Sequence, residues 1–113
     1  DGPLASQRAK AAVLGLVAWA DPIVFTEELG PGRGKPHPAA FARVEAATGV
    51  PGAACAYVAD NPAKDFAGPR ARGWRTVRVL REGGLHATVA SGDDVDAEIK
   101  AFAGLNQALG WPA

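Results

Sequence analysis

The stretch Cys55-Ala56-Tyr57-Val58-Ala59-Asp60-Asn61-Pro62-Ala63-Lys64-Asp65 decides the fold. Its first five residues are an unbroken small-and-apolar run of strand length, the pattern of a strand buried on both faces in a parallel sheet. The polar run that begins at Asp60 ends it. Two further runs have the same character, Pro22-Ile23-Val24-Phe25-Thr26 upstream and Thr76-Val77-Arg78-Val79-Leu80 downstream. Helical segments separate the three, which is the βαβ rhythm of a parallel sheet. Right-handed crossovers then place helices on both faces, so the expected class is α/β, open and doubly wound.

Around these strands the spacing predicts a helix over Leu4–Leu14, with an apolar stripe at Ala5, Ala9, Ala12 and Val13 and a stop at Gly15. A second helix runs from Pro38 to Thr48, its inward face carrying Ala40, Phe41, Val44 and Ala47, and Gly49 ends it. Between Asp60 and Gly73, Pro69 is expected to split a turn from a short helix, since proline lacks the donor a helix interior needs. A weak strand at Ala97–Ile99 and a helix over Ala101–Leu109 close the chain.

The composition bounds the function. The chain has 113 residues, 48% of them hydrophobic, which suits one domain. Twelve basic residues balance twelve acidic ones, so no bulk field draws the chain to nucleic acid or to an anionic membrane surface. The longest apolar run, Ala11–Ala20, is about ten residues and is broken by Gly15, far short of a bilayer span. A single cysteine excludes an internal disulfide and points to a reducing compartment, so a cytoplasmic location is expected.

Chemistry is expected in the loops at the carboxyl ends of the strands. Asp60 follows one strand directly and Asp65 lies five residues on. Two carboxylates so placed suit a hard divalent cation such as Mg²⁺; equally, Asp60 can cap the next helix while Asp65 is solvated. Lys35 sits in Gly34-Lys35-Pro36-His37-Pro38. There a stiffened, close-approaching backbone can aim an ammonium at phosphate or hold a carboxylate ionised, or the lysine is a solvated loop residue.

In this order and on these elements, the residues resemble the haloacid dehalogenase (HAD) hydrolase superfamily. That family carries a Lys-Pro after the third sheet strand, matched here by Lys35-Pro36. It also carries a strand ending in Gly-Asp with a second Asp five residues on, matched by Asp60 and Asp65, with Ala59 in place of the glycine. Phe25-Thr26-Glu27-Glu28-Leu29-Gly30 and Arg72-Gly73-Trp74-Arg75-Thr76-Val77 also look like family sequence, and Asp1-Gly2 looks like the residues just after the second-motif Thr or Ser. The resemblance covers essentially the whole chain.

The resemblance implies an open Rossmannoid parallel sheet, here lacking the family's central first strand, with residues 1–113 forming the C-terminal part of one core domain. It implies a Mg²⁺-dependent phosphomonoesterase acting through an aspartyl-phosphate on a small phosphorylated substrate. Asp60 would ligate the metal. Asp65 would support the metal or pair with the lysine. Lys35 would balance charge on nucleophile and phosphate, and backbone N–H groups near Asp1 and Gly2 would help hold the phosphate. The first motif, with the nucleophile, and the second-motif Thr or Ser have no counterpart in this sequence. The expectation is that the native protein has this N-terminal part, cut off, disordered or on another chain. Only Glu27–Gly34 separates the third strand from Lys35, so no cap is inserted there.

A non-catalytic HAD-like scaffold or regulatory module working with a partner chain is the alternative reading. A receiver-like signalling domain fits less well, because Lys35 precedes Asp60. Asp94-Val95-Asp96 reads as a surface acidic loop, Cys55 as a small core residue, and His37 as a loop residue or a substrate contact at the rim. Trp19, Trp74 and Trp111 read as packing, and two dispersed histidines with one cysteine make no zinc site.

Overall fold

Three parallel strands carry the structure, a computed structural model that describes residues 1–112. Strand β1 (Ala56–Ala59) pairs with β2 (Arg75–Val79) in the register Tyr57 to Thr76 and Val58 to Val77. Strand β3 (Ala97–Ile99) pairs with β2 on its far side, Val79 opposite Ile99, so the order is β1-β2-β3. The central strand β2 is buried from Thr76 to Val79, as its apolar run predicts. Strand β1 is only half-buried along its length, where burial on both faces was expected. Among the described residues its other edge has no neighbouring strand.

Alternation along the strands divides the core in two. On one face Val58, Val77, Val79 and Ile99 meet Leu105, Ala108 and Leu109 of helix α4 (Leu105–Leu109). On the other, Tyr57 meets Phe41 of helix α2 (Ala39–Thr48) edge-on at 4.8 Å between ring centres, and Phe41 meets Trp74 at 5.3 Å. Phe66, fully buried, closes this cluster beside Tyr57. Helices therefore cover both faces, and the α/β class with a parallel sheet holds.

Several local expectations change. The run Pro22–Thr26 is not a strand: Phe25 is extended, but the run finds no ladder partner, and extended backbone without one is a loop. It leads into a single 3₁₀ turn, Thr26–Leu29. Helix α1 (Leu4–Val13) forms where predicted, with Gly15 left-handed just beyond it. Its inward residue is Ala11, however, and the stripe Ala5, Ala9, Ala12 and Val13 faces solvent. The helix is docked from its polar side instead, by the Leu4 N–H donating to the Glu27 carboxylate and by an Arg8–Glu28 ion pair. An acid at a helix N-terminus is favourable there.

The segment after Asp60 does divide into a turn and a short helix, α3 (Ala67–Ala71), but Pro69 is not the dividing point: it lies in the first turn of the helix, where its missing N–H has no intrahelical partner to lose. The last helix is shorter than expected, Phe102–Gly104 being a 3₁₀ turn ahead of α4. On helix α2, Phe41 is buried and Ala40 and Val44 half-buried, while Ala47 is exposed. Of the three tryptophans only Trp74 packs; Trp19 and Trp111 are exposed. Among the described residues no helix is long and apolar enough to cross a membrane.

Candidate functional site

Lys35, Asp65 and Asp1 converge although Asp1 lies 34 residues before Lys35 and Asp65 30 residues after it. The Lys35 Nζ donates to Asp65 Oδ1 at 2.7 Å, and the Lys35 backbone N–H donates to Asp1 Oδ2 at 2.9 Å. The other Asp65 oxygen accepts the Asn61 N–H at 2.9 Å. The Asp65 side chain is 3% exposed and that of Lys35 21%, so this ion pair is largely out of water. Burial, the largest single influence, pulls the Lys35 pKa down, but the hydrogen bond and charge of Asp65 together with Tyr57 outweigh it, and the ammonium sits above the ordinary lysine value.

Glycines make this convergence possible. A Cβ on Gly34 would lie 3.3 Å from Asp1 Oδ2, so the small residue before Lys35 leaves room for the carboxylate. Gly68 of α3 sits against the Lys35-Pro36 loop: a Cβ there would lie 2.8 Å from the Pro36 carbonyl oxygen and 2.9 Å from Phe41 Cε2. Helix α3 thus presses directly onto the loop that carries the lysine. Gly68→Ala is expected to destabilise the chain by about 1–3 kcal/mol, the scale of overpacking. A melt unchanged from wild type would show that the loop and helix are not so tightly joined.

Asp60 leaves the end of β1 and is exposed. Its carboxylate makes no hydrogen bond or ion pair among the described residues, while its backbone carbonyl accepts from Arg78 Nε at 3.3 Å. It borders a cavity of about 230 Å³ between the ends of β1 and β2 and the loop after β2. Lys35 and Asp1 border a different cavity of about 270 Å³, whose apolar wall is Val24, Phe41, Val44, Tyr57 and Trp74. Asp65 links the two, holding Lys35 with one oxygen and the backbone directly after Asp60 with the other. Gly2 has φ +114°, a conformation that suits glycine, and borders a shallow depression with Asp1 and Gly30–Gly34.

Of the two roles that the resemblance implies for Asp65, both of its oxygens serve the second, pairing with the lysine. As a donor set for a divalent cation, that leaves Asp60, and no three His, Cys, Asp or Glu side chains converge among the described residues. Mg²⁺ keeps several waters and often takes one or two carboxylates plus phosphate oxygens. Asp60 fits it as one shared ligand and not as a closed cage.

Other side chains have structural work. The Asp96 carboxylate accepts the Thr76 N–H at 2.8 Å and pairs with Arg70, tying the segment before β3 to the start of β2. Within a surface loop, it is thus a fixed strut, which the sequence reading missed. His37 Nδ1 accepts the Ala39 N–H at 3.1 Å at the start of α2, a capping contact. Burial pushes the Cys55 thiol up, and no activating base is bonded to it, so it is a poor nucleophile.

The arrangement is that of an α/β protein with a lysine, its anchoring carboxylate and a strand-end carboxylate near the carboxyl edge of a parallel sheet. The chain belongs to the HAD-hydrolase-like family, whose model matches residues 32–101, a span that contains Lys35, Asp60 and Asp65 but not Asp1 or Gly2. Among solved structures it is similar to a HAD phosphatase from Thermococcus onnurineus, at 26% identity and TM-score 0.78 over 96% of this chain and 47% of that one. It is also similar to a 2-haloacid dehalogenase from Pseudomonas syringae pv. Tomato DC3000, at 29% identity and TM-score 0.73 over 88% of this chain and 41% of that one. The chain thus spans less than half the length of either structure. None of the curated proteins compared with the chain matches it.

Proposed function

We propose that the protein is a Mg²⁺-dependent phosphomonoesterase that works through an aspartyl-phosphate on a small phosphorylated substrate. The observation that carries this reading is the Lys35–Asp65 pair beside the unpaired carboxylate of Asp60. In it Lys35, fixed by Asp65, sets a permanent positive charge where negative charge gathers on nucleophile and phosphoryl oxygens. Such a preorganised charge stabilises the transition state without reorganising at the moment of reaction. Asp60 would hold the cation, which when bound would supply charge neutralisation at the phosphate. The Asp1 carboxylate braces the lysine loop by accepting the Lys35 N–H, and the N–H groups near Asp1 and Gly2 would help hold the phosphate. The similarity to a HAD phosphatase supports phosphate over halide chemistry; the similarity to a dehalogenase keeps the halide route as an outcome of the test.

The nucleophilic aspartate of the family pattern has no counterpart among these 113 residues. We propose that it comes from a further part of the fold, on the same or another chain, that lies along the open edge of β1. Support comes from the apolar wall of the 270 Å³ cavity, to which Tyr57 of β1 contributes, and from Val13, Leu14, Val17 and Trp19, each at least 66% exposed.

The test is hydrolysis of a generic aryl phosphate, with and without Mg²⁺, by the protein that includes the nucleophile. Asp60→Asn is expected to abolish Mg²⁺-dependent turnover while melting as the wild type does. Full activity in that variant overturns the assignment of Asp60. Absence of turnover in the wild type across phosphomonoesters, with halide release or with none, overturns the phosphatase reading; with none, the non-catalytic module takes its place. A reducing, cytoplasmic setting is part of the same proposal, resting on the lone Cys55.

A further inference from the structure

Arg78 is an arginine on a buried strand, 1% exposed, and no carboxylate lies within ion-pair distance of it among the described residues. A buried cation without a counter-charge is costly and needs its donors satisfied. The guanidinium meets that need with neutral acceptors only. Its Nε donates to the Asp60 carbonyl at 3.3 Å, Nη1 to the Val89 carbonyl at 2.7 Å and to Ser91 Oγ at 3.0 Å, and Nη2 to the His86 carbonyl at 2.8 Å. Four of five N–H groups are thereby used, in the fixed fork that arginine has and lysine lacks.

Apart from the Arg81 guanidinium over the Phe102 ring at 5.9 Å, the segment from Arg81 to Ser91 has little else to hold it. From 81 to 90 every residue except His86 is exposed, Leu85 at 89%, so no apolar burial docks it. Its own backbone bonds are local turns, Gly84 N–H to Arg81 O, Ala87 N–H to Gly84 O and Val89 N–H to His86 O. Among the described residues, all the side-chain hydrogen bonds that reach it from outside come from Arg78. That segment forms the outer wall of the 230 Å³ cavity on which Asp60 opens.

We infer that Arg78 is a positioning residue: one guanidinium fixes the carbonyl of Asp60 at the strand end and hangs the 81–91 segment as the wall of the cavity beside it. The inference rests on the reading of Asp60 above only for its purpose, that of shaping a cation and substrate site. Its geometry can be tested without any ligand.

The experiment is amide-resolved hydrogen exchange by NMR on wild type, Arg78→Lys and Ser91→Ala, with Mg²⁺ alone titrated into each. Arg78→Lys keeps the charge and most of the stem but not the fork. It is expected to exchange about tenfold faster across 86–91 and measurably faster at Asn61, and to bind Mg²⁺ about tenfold more weakly, as when the support of a ligand is lost. Ser91→Ala removes one acceptor, leaves the fold standing, and is expected to speed exchange at 89–91 alone. Unchanged exchange across 86–91 in both variants overturns the inference. So does a loosened 86–91 segment with Asn61 exchange and Mg²⁺ affinity both at wild-type values, because the wall would then be independent of Asp60. If the wild type binds no Mg²⁺, the metal reading of Asp60 falls, and the exchange at Asn61 and 86–91 still decides the role of Arg78.

Discussion

Asp65→Asn is expected to destabilise the chain by about 3 kcal/mol, the lower end of what removing one partner of a buried ion pair costs. The substitution keeps the volume and removes only the charge. Lys35 Nζ, 2.7 Å away, would then face a neutral amide in a site where the side chain at position 65 is 3% exposed. A second loss adds to the first, because the amide cannot accept both from Lys35 and from the Asn61 N–H as the carboxylate does. The pH dependence has a definite sign. Lys35 titrates above the ordinary value of 10.5 when folded, so its pairing is fully present at neutral pH and up to that value. The contribution is lost as pH rises through the folded pKa. Urea melts of wild type and variant should therefore differ at pH 7 and converge at strongly alkaline pH. In the protein that includes the nucleophile, turnover should fall roughly 10²-fold, since a lysine without its anchor no longer presents a fixed charge. Wild-type stability at pH 7 would show that the pair is solvated and carries no structural weight.

Residues whose environment is set by short-range pattern are legible in the sequence itself. The apolar runs around Val58 and Val77, the weak strand at Ala97–Ile99 and the stop at Gly49 all declare themselves through local periodicity or a left-handed turn. What periodicity does not encode is what sits opposite. Pro22–Thr26 has the composition of a buried strand, and its local pattern is sound, but a strand exists only with a ladder partner. The apolar stripe of α1 likewise marks a face to be covered, and nothing in residues 1–112 covers it.

The site was legible as a set of residues, not as a network. Lys35, Asp60 and Asp65 stand out because strand ends and a Gly-Lys-Pro loop are where an α/β protein concentrates chemistry. That Asp65 spends its oxygens on Lys35 and on Asn61 is a property of α3 pressing on the Pro36 loop through Gly68, a contact 32 residues apart that no spacing rule reports. Arg78 was hidden in a different way. The run Thr76–Leu80 reads as a buried strand without saying what its arginine does, and that becomes visible only once three carbonyls and a hydroxyl are seen around its head.

Gly52→Ala is expected to be the most damaging glycine substitution in the chain, at about 3 kcal/mol or more, the upper range of overpacking. Gly52 opens the 3₁₀ turn that delivers the chain into β1, and a Cβ there would lie 2.0 Å from the Arg72 carbonyl oxygen and 3.1 Å from Trp74 Cδ1. The first is backbone and has no rotamer to change. Nor can it retreat, because its residue is pinned on both sides. The Arg72 N–H donates to Pro69 O, the Gly73 N–H to Arg70 O, and Arg72 Nε reaches Glu45 of α2 at 2.7 Å. The strain must instead move the turn, and with it the start of β1 and its pairing of Ala56 with Arg75. Gly49→Ala supplies the control, since Gly49 has φ +70° but open space around it. That variant meets only the left-handed backbone penalty, about 1–2 kcal/mol. Parallel thermal melts separate the two effects: a Gly52→Ala loss no larger than that of Gly49→Ala would mean that the turn is not seated against Arg72, and that β1 is held to β2 by its ladder alone.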